Sequence, residues 1–146
     1  MSDLFRILAI DYGSRRVGIA ISDPLQMIAR PFDTLDNTGD DELVRRITSI
    51  VLQESVGEVI LGLPLGLEGH DTPQTTRTRE FADLLRPALG VPLIWRDERY
   101  TSDDAGQILR DKGLDVRASR KQMDCTAAAV LLQTYLAQRP EQAEHR

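Results

Sequence analysis

Three acidic positions stand where a purely solvent-facing role is not the first explanation. Asp11 follows an apolar run over residues 4–10 and opens the turn-rich stretch Asp11-Tyr12-Gly13-Ser14. Taken alone, it reads equally well as a turn former at a strand end. Asp97 and Glu98 sit just past a short apolar segment, within Arg96-Asp97-Glu98-Arg99, where the simple alternative is a solvated loop of mixed charge. The pattern does not choose between these two acids. Asp124 is the most informative. With Ala128, Leu131 and Tyr135 it falls at i, i+4, i+7 and i+11, on the helix face that carries an apolar stripe. A carboxylate aimed at a core is costly unless it is paired or bound to metal. A buried ion pair to an arginine is the competing structural explanation.

Together the three point to one chemistry. Clustered carboxylates repel each other and hold protons unless cations neutralise them. Hard oxygen donors without a Cys or His cluster select Mg²⁺ or Mn²⁺ over Zn²⁺. Cys125 is the lone cysteine and packs as a small apolar residue; His70 lies in a Gly-Asp-rich loop and His145 in the C-terminal tail. Two such ions, about 3.5–4 Å apart, activate water and stabilise a leaving 3′-oxygen in phosphodiester hydrolysis. The protein then needs no nucleophile of its own.

The elements that must position these acids follow from periodicity. Residues 4–10 form a strand, and Val17, Ile19 and Ile21 alternate with small residues as a second. A third extended segment covers 27–35, and the short links imply an antiparallel meander. Leu43, Ile47, Ile50 and Val51 then mark a helix, with Gly57 as its stop, and 58–63 is a buried strand. Phe81, Leu84, Leu85 and Leu89 mark a second helix ended by Gly90, and 91–95 a fifth strand. Residues 101–104 fit a capping box opening a short helix with Ile108 and Leu109 inside. A last helix spans 120–138. The order β-β-β-α-β-α-β-α-α predicts an α/β fold: three antiparallel strands, then helix-linked strands, in one mixed five-stranded sheet with helices on both faces. A single domain over 1–138 with a frayed tail at 139–146 is expected.

Composition bounds the partners. The chain has 146 residues, 41% hydrophobic and 28% charged, ordinary for a globular protein. No apolar stretch is long enough for a membrane span, no secretory pattern opens the chain, and a cytoplasmic protein is expected. A net charge of −5 argues against a protein that simply coats nucleic acid. Two bound divalent cations would bring that charge from −5 to −1. Sixteen of the 18 basic residues are Arg, suited to forked phosphate contacts. Arg15, Arg16, Arg77, Arg79, Arg99, Arg120 and Lys121 lie beside the acidic motifs and are the candidate nucleic-acid contacts. The Asp11-x-Gly13 turn also matches the phosphate grip of actin-like ATPases, but those need two such domains, and 146 residues cannot supply them.

Leu8-Ala9-Ile10-Asp11-Tyr12-Gly13, Gly62-Leu63-Pro64-Leu65 with Glu68-Gly69, Asp97-Glu98-Arg99, and Met123-Asp124 with Ala127-Ala128 resemble the motifs of the YqgF family, also called RuvX. The likeness covers nearly the whole chain, in order and with compatible spacing. It implies an RNase H-like fold related to the RuvC resolvase and metal-dependent cleavage of nucleic acid. The substrates it suggests are the 5′ end of the 16S rRNA precursor and structured or branched DNA. It assigns the acidic triad, both as catalytic and as metal-binding residues, to Asp11, Glu98 and Asp124, and so prefers Glu98 to Asp97. Thr75, Arg77 and Arg79 agree with its loop-to-helix segment. Two positions depart from it: Gly66 stands where Asn is frequent, and Tyr100 where Leu is usual. A monomer or a homodimer is equally compatible with the sequence, and cutting both strands of a junction would need a symmetric dimer. A binding module of the same fold without catalysis is the alternative, disfavoured by the intact acid set.

Overall fold

The computed structural model describes residues 4–98 and 120–138, with only the helical backbone given for 120–124. Strands β1 (Arg6–Asp11), β2 (Arg16–Ser22) and β3 (Ala29–Asp36) come first. Helix α1 (Asp40–Gln53), strand β4 (Val56–Leu63), helix α2 (Pro73–Leu85), strand β5 (Leu93–Asp97) and helix α3 (Arg120–Gln138) follow. A short 3₁₀ turn, Arg86–Ala88, extends α2. The helix expected after residue 101 and the tail at 139–146 lie outside the described residues, as do Arg99 and Tyr100.

The five strands form one sheet in the order β3-β2-β1-β4-β5. Both meander pairs are antiparallel, whereas β1–β4 and β4–β5 are parallel. Parallel neighbours need a crossover, which α1 and α2 supply. β1 is therefore the central strand. Because β1, β4 and β5 run the same way, Asp11, Leu63 and Asp97 all finish at one end of the sheet.

Period-two alternation divides the core between two faces. Leu8, Ile10, Val17, Ile19, Ile21, Val59 and Leu61 pack with Leu43, Ile47 and Val51 of α1 and with Phe81, Ala82 and Leu85 of α2. Ile7, Ala9, Ala20 and Ile60 face the other way, against Ala128, Ala129, Leu131 and Leu132 of α3. Each large aliphatic side chain so buried stabilises the fold by about 1.5–3 kcal/mol. The small residues of α3 let it lie close on the sheet. Gln133 accepts from Ala29 N–H at 2.9 Å, and the Tyr135 hydroxyl meets Glu58 at 3.2 Å. Both partners lie away from the sheet end that carries Asp11, so the earlier turns of α3 run back toward it.

Several boundaries differ from the sequence expectation. Gly57 does not stop α1; the helix ends at Gln53, Ser55 takes the left-handed turn at φ 57, and Gly57 lies inside β4. Its missing side chain accommodates Phe5, whose ring would lie 2.4 Å from a Cβ there. Strand β5 begins two residues later than expected, at Leu93. Leu84 is exposed rather than part of the buried stripe, and Leu89 lies beyond α2. The helix starts earlier than its apolar stripe suggests, because Pro73 follows the cap Thr72, which forms a capping box with Thr75.

Candidate active site

Asp11 is the last residue of β1, opposite Gly18 of β2. Glu98 follows the last residue of β5, and its N–H donates to the Leu63 carbonyl at 3.1 Å. That bond carries the β4–β5 ladder one residue further and fixes Glu98 beside the end of β4. Its side chain then crosses Gly62. A Cβ on Gly62 would lie 2.5 Å from both Cδ and Oε2 of Glu98. A glycine inside a strand commonly marks such a close approach. Across this gap the Glu98 carboxyl shares a side-chain hydrogen bond with Asp11.

Two carboxylates brought this close favour protonation of one of them. Burial holds Glu98 well above its ordinary value of 4.5, with the charge of Asp11, the hydrogen bond to Asp11 and the charge of Asp97 adding to the effect. A bound divalent cation would meet the same electrostatic demand, and the donors are hard oxygens of the kind Mg²⁺ and Mn²⁺ take. The pair therefore fits a metal site. Among the described side chains no group of three or more His, Cys, Asp or Glu could hold an ion. Asp124, the third expected ligand, belongs to the first turns of α3, where only the backbone is described.

This raised pKa has a testable sign. The folded protein binds a proton at Glu98 that the unfolded chain has already released, so stability should fall as pH rises from about 4.5 to the folded-state value. In EDTA, melting temperatures measured across that window should decline, and Glu98→Gln should flatten the decline. An unchanged slope in Glu98→Gln would place its origin elsewhere.

The turn after Asp11 is tied down from several sides. The Tyr12 ring stacks on Phe81, with centroids 4.5 Å apart, and its hydroxyl donates to Asp40 Oδ1 at 2.7 Å. Burial and that contact push the Tyr12 phenol up from its ordinary value. Gln74 Nε2 donates to the Tyr12 carbonyl at 3.2 Å, and Asn37 Nδ2 to the Gly13 carbonyl at 2.8 Å. Sequence reasoning found neither amide. Contacts between positions 62 and 24 residues apart carry no periodic signal.

The expected cationic contacts fall into distinct settings. Arg15, exposed, lies in the β1–β2 turn at the acidic end, and Arg16 opens β2 there. Arg77 is exposed on α2, in the neighbourhood of the Tyr12 hydroxyl. Arg79 pairs with Asp71 at 3.2 Å and lies 5.8 Å from the centre of the Trp95 ring. It is thus already engaged by the loop before α2 and by β5. Arg120 and Lys121 open α3, where side chains are not described. His70 is exposed, with its ring above Gly66, where a Cβ would come within 2.2 Å of it.

Among solved structures the chain is similar to Thermus thermophilus RuvC bound to a Holliday junction, with a TM-score of 0.57 and 16% identity over 90% of this chain and 93% of that one. The fowlpox virus resolvase with its junction DNA is similar at a TM-score of 0.61 and 14% identity, covering 91% and 97%. The shared architecture is RNase H-like. Closer in sequence are proteins named as candidate pre-16S rRNA nucleases. One from Maridesulfovibrio salexigens is 39% identical over 90% of this chain and 98% of its own length. Another from Chloroflexus aurantiacus is 41% identical over 89% and 85%. Residues 5–138 match the family described as RuvX, Holliday junction resolvase, and with a paired-acid site at the strand ends of an RNase H-like sheet, the chain belongs to that nuclease family.

Proposed function

We propose that this protein is a metal-dependent nuclease that hydrolyses phosphodiester bonds, with Asp11, Glu98 and Asp124 as its catalytic, metal-holding acids. The observation that carries this reading is the placement of Asp11 and Glu98 at one end of the sheet, with the Glu98 carboxyl lying over Gly62. Mg²⁺ or Mn²⁺, as two ions, would supply an activated water and charge stabilisation at the leaving oxygen. The chain's own residues do the rest. Asp11 is held by the central strand, Glu98 by the extended β4–β5 ladder, and position 124 by a helix whose first turns run toward the same end. Arg15, Arg16 and Arg77, with Arg79, Arg99, Arg120 and Lys121, would contact phosphates and set the register of the strand.

The substrate reading follows the relatives: the 5′ end of the 16S rRNA precursor first, and branched DNA second, since both similar solved structures act on junctions. An rRNA substrate places the protein in the cytoplasm, as one nuclease domain over 1–138, monomeric or homodimeric. No helix among the described residues is long and apolar enough to cross a membrane. Labelled precursor RNA, a four-way junction, and single- and double-stranded DNA should be incubated with the protein in Mn²⁺, Mg²⁺ or EDTA. Metal-dependent cleavage of at least one substrate is expected; no cleavage of any would favour a non-catalytic binding module.

Metal should also stabilise the fold directly. At a concentration 100 times Kd, a ligand bound only by the folded state adds about 2.7 kcal/mol. For a domain of this size that is worth roughly 5–10 °C. Millimolar Mn²⁺ should raise the melting temperature by that order, and Asp11→Asn should lose most of the gain. A wild-type melting curve indifferent to metal would remove the metal site.

A further inference from the structure

We propose that the first turn of α2 is a bracket that sets the separation of Asp11 and Glu98, with Gln74 as its positioning residue. This rests on the reading of those acids as metal ligands. Beyond Asp11, β1 leaves the sheet, and the carbonyls of Tyr12 and Gly13 must find partners outside the ladder. The Tyr12 carbonyl is met by the Gln74 amide at 3.2 Å. One residue on, the Thr75 hydroxyl donates to the Pro64 carbonyl. Pro64 directly follows Leu63, the residue whose carbonyl receives the Glu98 N–H at 3.1 Å.

Consecutive residues of one helical turn thus hold the strand end that carries Asp11 and the strand end on which Glu98 docks. The turn is itself rigid. Thr72 and Thr75 satisfy each other's N–H groups across the capping box, at 3.2 and 3.0 Å, and Pro73 fixes the first backbone angle. Asn37 holds the residue after Tyr12, donating to the Gly13 carbonyl at 2.8 Å. Outer-shell partners of this kind typically change metal affinity or activity by about 10–100-fold when removed. Fold stability alone does not require Gln74 to donate to this carbonyl, because the Phe81 ring and Asp40 already anchor Tyr12.

The test uses Gln74→Met, which keeps the length of the side chain and removes the donor, with Gln74→Ala as the second variant should Met disturb packing. Mn²⁺ binding is measured by calorimetry with the metal alone, beside melting curves and the kcat and KM of cleavage. The expected result is Mn²⁺ affinity weakened about tenfold and kcat lowered about 10–100-fold, with KM within about twofold and the melting temperature in EDTA little changed. Wild-type Mn²⁺ affinity and kcat in the variant that folds, beside loss of both in Asp11→Asn, would overturn the bracket and leave the acid pair standing. Wild-type Mn²⁺ binding in Asp11→Asn would instead overturn the acid-pair reading, and the bracket with it.

Discussion

Asp11→Asn is expected to lower cleavage by on the order of a thousandfold or more while the fold survives. A loss of that size is about 4 kcal/mol of transition-state stabilisation. The amide keeps the shape of the carboxylate but cannot supply its charge to a cation. It can still donate to Glu98, so the hydrogen bond across the gap persists in altered form. Removing one of two repelling charges should leave the melting temperature in EDTA unchanged or raised. Glu98→Gln should behave alike. On the proposed reading, in which the acids hold metal together, Asp11→Asn with Glu98→Gln should be hardly worse than either alone, and Asp124→Asn should match them. Single-turnover cleavage in Mn²⁺ and melting in EDTA, on the same preparations, decide the matter. If the acids instead served as partners in buried ion pairs, stranding a charge would cost roughly 3–5 kcal/mol of stability. An unfolded variant, or one cutting at the wild-type rate, sinks the proposed role.

Gly62→Ala should separate activity from stability more sharply. Its Cβ would lie 2.5 Å from Glu98 Cδ and Oε2 and 2.6 Å from Cγ. Those atoms are the flexible end of a side chain, so they can yield. To reach ordinary contact they must move by about 1 Å. A shift of that size at a reacting centre costs on the order of a hundredfold in rate. Stability should change little, because the strain relaxes by rotation of Glu98 and alanine limits the unfolded chain by about 0.4–1 kcal/mol. Gly57→Ala provides the opposite case. It meets the Phe5 ring at 2.4 Å, well away from the acids, and should cost about 1–3 kcal/mol of stability with kcat kept. Cleavage rates and melting curves of the two variants should therefore move in opposite columns. A fully active Gly62→Ala would mean that Glu98 need not lie where it does.

These two glycines also show what could be read in the chain beforehand. The alternation of Ile7 to Ile10 and the stripe of Leu43, Ile47 and Val51 encode the layered fold, because burial repeats with a strand or helix period. The acids stood out for a related reason: charge at a strand end, or on an apolar helix face, breaks the period. A glycine carries no such period. Gly57 resembled a helix stop, yet the stop is Ser55, and the glycine makes room for a ring that arrives from the start of β1. Gly62 stood out only as part of a family motif, and nothing in that motif tells that it opens the path for Glu98. Gln74 and Asn37 escaped notice because an amide reaching a distant carbonyl depends on the completed fold. What composition and spacing conveyed was the layout and the candidate acids, and what they missed was the support beneath Asp11 and Glu98.

Placing Asp11 on the central strand bears on how the protein fails when heated. β1 is bonded along both edges, antiparallel to β2 and parallel to β4, so freeing all of its amides requires both ladders to part. The outer strand β3 lacks that protection on one side and opens in smaller fluctuations. Proteins that carry their reactive groups on lids lose activity well before they melt. Here the anchor of the first acid belongs to the last unit to open. Heat inactivation and global unfolding should thus be a single event, and loosening β3 should deplete the folded population without dulling the molecules that remain folded.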